Sequence, residues 1–551
     1  MKKINKITFL SLVSLISLSS CIVKKNTDSR VVKVFINQGN LFDGLSKDSI
    51  WKKIEMETST TLQVTGATHG NDYYMTLNPK LISPRNDIDI VFSVPSNVNC
   101  NYENAIDKDM YWNLDELLAM KPGEYPYIEK LISSDLYKNI SYGEGAHTII
   151  PYLTSRSGWA IYYRSDWLIN IGYFTIDENG EKVAKTPVTI EEFEDVCRKF
   201  RFNDPDGNGE KDTYAISPAG SYFYWNPLYH AFGVTPSYDL DENNTPTYMY
   251  NQEEFKDYLK WINGLYREGI IDPNFNSNSP NEEDRNKFYN GLVGILITNG
   301  ENHVDWVIPG VEKVQGKNKV VIGSAPVGTS KLGKDGVGGF SDWGGWWGGY
   351  SIFKHTIGNY DFDYDSAYAS LDVLEYLYSQ EGGLLRYYGI ENNHWKYNEN
   401  GEIEPIIYNR YKEDEGTFTV TEDKDGKLTP SGLYKMGATW GNRLNWKEDG
   451  TFDVVIESAN MPYKLKDVFD ETVNKNTVVS SKLTNFTNFA SGFASKMKLF
   501  ESEMERYATA ATKNIEEINN WDDEMSKLVN DYKWNKIQKM IKEQAKNCGV
   551  I

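Results

Sequence analysis

The chain has 551 residues, 40% hydrophobic and 25% charged, a composition that excludes both a disordered chain and a polytopic membrane protein. That length is too great for one core and predicts two large lobes or three small domains. With 58 Lys and Arg against 78 Asp and Glu the formal net charge is −20, which excludes a nucleic-acid binder, because a phosphate backbone needs clustered cations. Only 6 His and 4 Cys are present, against 15 Trp, 37 Tyr and 23 Phe. A surplus of rings with polar handles is the first positive signal.

Lys2, Lys3 and Lys6 precede an apolar run from Ile7 to Leu18 that is too short to span a bilayer stably. The run ends in Leu18-Ser19-Ser20-Cys21, small residues before a cysteine, as in a bacterial lipobox. Residues 1–20 are therefore expected to be a leader cut before Cys21, with Cys21 acylated and 21–30 a polar tether. Losing those three lysines takes the net charge from −20 to −23. The body would then sit in water, held at the outer face of the cell membrane by lipid. Cys100, Cys197 and Cys548 remain, an odd number without a CxxC pair, so neither a disulfide framework nor a zinc site is expected.

Val31–Asn37 is a β-forming run. Asp48–Glu57 predicts a helix with Ile50, Trp51 and Ile54 inward, and Thr61–Thr65 and Ile88–Phe92 predict two more strands. Strand, helix, strand, strand is a βαβ pattern and predicts a parallel sheet with helices on its faces. Trp159–Tyr163 is the next strand. Thr189 and Glu192 form a capping box, followed by Phe193, Val196, Cys197 and Phe200 at helical spacing. Gln252–Glu268 carries Phe255, Leu259, Ile262 and Tyr266 on one face and is expected to stop at Gly269. Ala367–Ser379 repeats the form and is expected to close at Gly382-Gly383. Asn400-Gly401, Asp425-Gly426 and Asp449-Gly450 predict hairpins between 398 and 450. From Thr484 onward the pattern is helical.

Two constellations carry chemistry. In Asp204-Pro205-Asp206-Gly207-Asn208-Gly209-Glu210-Lys211-Asp212, oxygen-bearing side chains fall at alternating positions of a glycine-bearing loop. Asp204, Asp206, Asn208 and Asp212, with the Glu210 carbonyl, would suit Ca²⁺. The position where an EF-hand needs its bidentate Glu is Ala215, so this is a shorter EF-like loop or a solvated Asx turn. The second constellation, Gly338–Tyr350, packs six glycines and five rings into thirteen residues. It reads as a hinge, a ligand platform, or both: Trp343, Trp346 and Trp347 offer faces for sugar C–H stacking, and Asp342 and Arg443 offer polar partners. Trp346→Ala is expected to weaken ligand binding without unfolding the chain. Trp159, Tyr163, Trp225 and Trp395 are further ring candidates, each equally at home in a core. No GxSxG, HExxH, P-loop or dinucleotide motif is present, so no catalytic residue is assigned.

These stretches together resemble the extracellular solute-binding protein family 1, in its long branch that includes alginate-oligosaccharide binders. The resemblance rests on the lipobox, Trp159–Trp167, the Asp204–Asp212 loop, Tyr258–Phe275, Phe288–Ile295 and Leu374–Tyr397. It implies a two-lobe α/β periplasmic-binding-protein-like fold whose discontinuous lobes are joined by hinge crossings, followed by a helical C-terminus. Lobe one would be 31–157 and 348–410, and lobe two 158–347 and 411–551. It also implies a monomeric lipoprotein that captures a sugar or oligosaccharide and delivers it to the permease of an ABC importer. The resemblance also implies a Ca²⁺ at the Asp204–Asp212 loop, since some alginate-binding relatives hold one at the matching loop, although Thr213 stands here where another acid is expected. A binder of another solute such as a peptide, a sensor, and a glycoside-processing enzyme are the alternatives.

Overall fold

The computed structural model describes residues 30–37, 49–67, 71–81, 83, 87–95, 100, 102–134, 137, 140, 147–153, 159–218, 225–235, 238–278, 283–342, 344–357, 361–388, 390–392, 395–401, 403–405, 420–422, 428–430, 444–447, 449–454, 477–483, 493–547 and 549–551. Cys21, Cys548, Trp343 and Arg443 lie outside the described residues, as does the Trp347 side chain.

The first sheet contains β1 (Val31–Asn37), β2 (Thr61–Ala67), β3 (Ile90–Ser93) and β4 (Ile150–Leu153), with α1 (Ser49–Thr58) between β1 and β2. The expected parallel pairing is present: β1 runs parallel to both β2 and β3. The sheet is nevertheless mixed. A late strand of this sheet, Trp346–Ile352, lies between β3 and β4 and is antiparallel to both.

The second sheet contains β5 (Trp159–Arg164), β6 (Tyr214–Ile216), β7 (Val293–Asn299) and β8 (Val320–Gly323), in the order β8-β5-β7-β6. Strand β5 is antiparallel to β7 and β8, and β6 is parallel to β7. Helix α2 (Ile190–Phe202) covers one face. Its Thr189–Glu192 capping box is formed, and Phe193, Val196, Cys197 and Phe200 are all buried. Helix α3 (Asn226–His230) is short and fully buried. Helix α4 (Glu253–Arg267) buries Phe255, Leu259 and Ile262 and is followed by Gly269 at φ +74°, the left-handed conformation glycine adopts without penalty.

Hydrophobic side chains gather into separate cores. The first joins β1–β4 to Trp346–Phe353 and α5 (Tyr364–Tyr378). The second joins one face of the second sheet to α2, α3, α4 and the C-terminal helices, and a smaller cluster covers the other face. Those helices are α6 (Phe493–Lys513), α7 (Ile515–Asn519), α8 (Trp521–Asp531) and α9 (Trp534–Asn547). They dock on α4: Asn263 Nδ2 donates to the Ala511 and Thr512 carbonyls at 3.2 and 3.1 Å, and Phe255 meets Trp521 at 5.8 Å. Among the described residues no helix is long and apolar enough to cross a membrane.

Two expectations change. Gly382-Gly383 does not close a helix but lies inside a second one, Gln380–Tyr388. The break falls at Ser379, whose extended backbone ends α5 and whose hydroxyl accepts the Gly382 N–H at 3.0 Å. Glycine is required at 382 because a Cβ there would lie 1.9 Å from the Tyr376 carbonyl oxygen. The hairpin Leu444–Trp446/Phe452–Val454, placed by expectation in lobe two, packs on the first core. Trp446 Nε1 donates to the Tyr378 carbonyl at 2.9 Å and its ring meets Tyr127 at 4.9 Å. Hairpins also form around Asn400-Gly401 and between Val420–Glu422 and Leu428–Pro430.

Candidate functional site

The chain passes from the first core to the second after Leu153, returns between Phe340 and Trp346, and crosses again between the 444–454 hairpin and Leu483. Two of these crossings lie side by side as β9 (Phe340–Ser341) and β11 (Val478–Val479), which pair in parallel. Between them in sequence, β10 (Trp346–Ile352) is the late strand of the first sheet.

The paired crossings are gripped from the second core. The Ser341 N–H donates to Asn226 Oδ1 at 3.0 Å, and Ser341 Oγ lies 2.9 Å from His230 Nε2. Asn226 and His230 are four residues apart on α3, so one face of one turn presents both. His230 Nδ1 lies 2.6 Å from the Val234 carbonyl. A carbonyl only accepts, so Nδ1 carries the proton, and Nε2 accepts from the Ser341 hydroxyl. Burial then holds the imidazole neutral, with its pKa pushed down to about 4, the Val234 carbonyl acting the other way.

Asp342 joins the crossings to each other. Its Oδ2 accepts from the Ser480 hydroxyl at 2.7 Å, its Oδ1 accepts the Gly344 N–H at 2.7 Å, and its own N–H donates to the Val479 carbonyl at 3.1 Å. Both carboxylate oxygens thus serve the crossing. After Asp342, Gly344 and Gly345 stand at φ +77° and +79°, consecutive left-handed residues that turn the chain toward the first sheet.

The ring candidates among the described side chains are placed inside. Trp159 and Tyr163 of β5 and Trp225 before α3 are at most 1% exposed in the second core. Trp395 is 3% exposed. Trp346 is 7% exposed and packs in the first core opposite Leu153. These rings fill the lobes because a sheet face must be covered, and large rings cover it with few residues. The residues that sequence reasoning missed are Asn226, His230, Ser341 and Ser480. Scarcity of histidine in an acidic chain was the one available signal, since Ser341 lies 111 positions from His230.

In the Asp204–Asp212 loop, Asp204 at φ +46° accepts the N–H groups of Asn208 and Gly209 at 3.1 and 3.0 Å. Asn208 Nδ2 donates to Asp206 Oδ2 at 3.0 Å and to Asp212 Oδ1 at 3.3 Å. Burial first, then the neighbouring Asp204 and Asp212, raise the Asp206 carboxyl above its usual value. Among the described residues no group of three or more His, Cys, Asp or Glu is arranged to hold a metal ion. Separately, a cavity of about 530 Å³ opens on the outside of the first core, with five carboxylates, among them Glu375 and Asp372, against the cation Arg30. Among the described residues, none of the expected ligand residues lines it.

No family model matches the chain. The polygalacturonan/rhamnogalacturonan-binding protein YtcQ of Bacillus subtilis (strain 168) is 26% identical over 262 residues, 46% of this chain and 47% of that protein. Lipoprotein LipO of the same organism is 27% identical over 164 residues, 29% of this chain and 30% of that protein. The chain therefore spans about half the length, or less, of the curated relatives it matches. An extracellular solute-binding protein from Bifidobacterium longum subsp. infantis superposes with a TM-score of 0.61 at 16% identity, over 94% of this chain and 98% of that one. An EF-hand mutant of the S. pneumoniae ABC-transporter substrate-binding protein FusA, in complex with fructo-nystose, gives 0.62 at 14% identity over 93% and 98%. The alginate-binding protein AlgQ2, in a structure without calcium ion, gives 0.60 at 14% identity over 93% and 97%. This likeness shows the fold: the two-lobe α/β architecture of solute-binding proteins with a helical C-terminus.

Trp346→Ala removes a core ring and lowers stability by about 3–5 kcal/mol, seen as an earlier urea midpoint; an unchanged midpoint would place the ring outside the core. For His230, the unfolded chain takes up a proton below the ordinary value of 6.5 while the folded chain resists until about pH 4. Its contribution is therefore neutral above pH 6.5 and destabilising as pH falls toward 4, by about 3 kcal/mol in full. Glu375 and Glu501, lifted by burial to about 7, act with the opposite sign over part of that range, so the variant must be compared with the wild type. The stability advantage of wild type over His230→Gln shrinks between pH 7 and 4 in urea titrations. Parallel pH profiles would contradict the buried neutral imidazole.

Proposed function

We propose that this chain is the extracytoplasmic substrate-binding lipoprotein of an ABC importer. It captures a sugar or oligosaccharide between the two lobes, here equated with the two main cores, and passes it to a membrane permease. The observation that carries this reading is the pair of separate α/β cores joined by gripped crossing strands, in a fold shared with a sugar-bound neighbour over most of both chains. Such an arrangement lets a ligand contact both cores only when they close, so binding energy shifts the closing equilibrium. Capture without cleavage is part of the proposal, as are acylation of Cys21, a monomeric state and a location at the outer face of the membrane. The polysaccharide-binding relative supports carbohydrate as the ligand class, and the LipO likeness supports the lipid anchor.

The direct test is a melting screen of the purified protein against fructo-, pectic, alginate and N-glycan oligosaccharides. A ligand at 100 times its dissociation constant adds about 2.7 kcal/mol and raises the midpoint. The expected result is one responding class whose sugar is recovered intact; a cleaved sugar means an enzyme, and silence across the panel contradicts the carbohydrate reading.

Calcium at the Asp204–Asp212 loop belongs to the same proposal. Asp204, Asp206 and Asp212 offer hard carboxylate oxygens, and turning the Asn208 amide would bring its oxygen in where its nitrogen now joins Asp206 and Asp212. The named EF-hand of a structural neighbour supports it. Added Ca²⁺ is expected to raise the melting midpoint of the wild type and leave Asp206→Ala unmoved. An equal response of both, or none in the wild type, would remove calcium from this loop.

A further inference from the structure

We infer that the outer face of α9 is a docking surface for anionic lipid headgroups, so that the second lobe lies against the membrane to which the chain is tethered. The inference rests on the proposed lipid anchor and adds an electrostatic contact to it.

The sequence of α9 sets up the face. Over Trp534–Asn547 the helix carries four lysines, Lys536, Lys539, Lys542 and Lys546, against one acid, Glu543. At about 3.6 residues per turn these lysines fall within roughly a third of the circumference and span about 15 Å of helix. Trp534, Ile537, Ile541 and Ala545 take the opposite side and are buried in the second core. Packing thus fixes which way the lysines face. Lys536, Lys539 and Lys546 are exposed, as is Lys533 just before the helix, and Lys542 is half-buried.

This face differs from its neighbours in lacking matched charge. Elsewhere on the second lobe lysines are paired: Lys199 with Asp195 and Lys256 with Asp522, both at 2.7 Å, and Lys260 with Asp257 at 2.8 Å. On α8, Glu524 is taken by Lys527. Among the described residues the α9 lysines make one ion pair, Lys539 with Glu543 at 3.7 Å, and both side chains are more than half exposed. A pair so exposed contributes little. The chain as a whole is at −20, but charges are screened over about 8 Å at physiological ionic strength, so acids on remote faces do not cancel the stripe where it meets a surface. Helix α9 carries no arginine, the residue that fixes a discrete carboxylate or phosphate in bidentate geometry. Lysine point charges on flexible stems suit a diffuse sheet of anionic headgroups instead. A lipid chain and a polybasic face are the two signals that together give stable attachment.

The test is lysine acetylation, read by mass spectrometry, of the full protein held on vesicles of phosphatidylcholine alone or of an equal mixture with phosphatidylglycerol. Lys182 and Lys317, exposed on other elements, are the references. On the mixed vesicles Lys536, Lys539, Lys542 and Lys546 are expected to react about five-fold more slowly than on phosphatidylcholine, the factor that corresponds to the attraction of one lysine to an anionic surface. High salt is expected to restore the rate. The triple variant Lys536→Gln/Lys539→Gln/Lys542→Gln leaves the buried side intact and is expected to lose the protection of Lys546 at an unchanged urea midpoint. Equal rates on the two vesicles, or slowing that survives high salt, would overturn the inference. Protection by soluble polyphosphate with none on mixed vesicles would also overturn it and assign the face to an anionic polymer. Retention on phosphatidylcholine vesicles reads the lipid anchor by itself, so failure of the anchor and failure of the basic contact are told apart.

Discussion

The molecule depends on one requirement: the segment from Gly338 to Ile352 must leave the second core and complete the sheet of the first. Strand β10 lies between β3 and β4, with Tyr350 opposite Phe92 on one side and Ile150 on the other. Without it those strands have no common neighbour. The backbones meet closely enough that a Cβ on Gly349 would lie 2.3 Å from the Ile150 carbonyl oxygen, and one on Gly348 would lie 2.6 Å from that of Ser93. The glycines of this segment are thus explained first by sheet closure and the turn between cores.

That closure couples the two halves. The first core cannot be finished until the chain has passed through the residues of the second, and pairings this distant in sequence are slow to form. It also fixes where the crossings run. Strand β9 ends where α3 presents Asn226 and His230, and β11 joins it through Asp342. The aromatic surplus is spent largely in the same task. Trp112, Trp159, Trp167 and Trp225 are among the largest fully buried side chains. A high ring count therefore describes two well-filled cores as much as it describes a sugar platform.

Local features were legible in the sequence, since their partners are a few residues apart: the Thr189–Glu192 box, the Gly269 stop, the turn at Asn400-Gly401 and the inward face of α4. The βαβ start was legible from its hydrophobic pattern. What periodicity could not reveal is which strand sits beside which, so the insertion of β10 and the docking of the 444–454 hairpin on the first core were out of reach. The Gly382-Gly383 pair misled because two glycines resemble a helix stop, whereas the structure uses Ser379 as the break. At the crossing the glycines were read as a hinge, a ligand platform or both, but the bonds that hold Ser341 and Asp342 were not legible. Asn226 and His230, which hold Ser341, and Ser480, which meets Asp342, lie more than a hundred residues away in sequence. No local pattern encodes such bonds.

The central claim is that the two lobes close on a captured sugar. Small-angle scattering of the protein, with and without the oligosaccharide that raises its melting midpoint, tests it most directly. The account predicts a smaller radius of gyration with ligand bound and intact sugar recovered from the complex. An unchanged radius at saturating ligand, or a cleaved sugar, would contradict it.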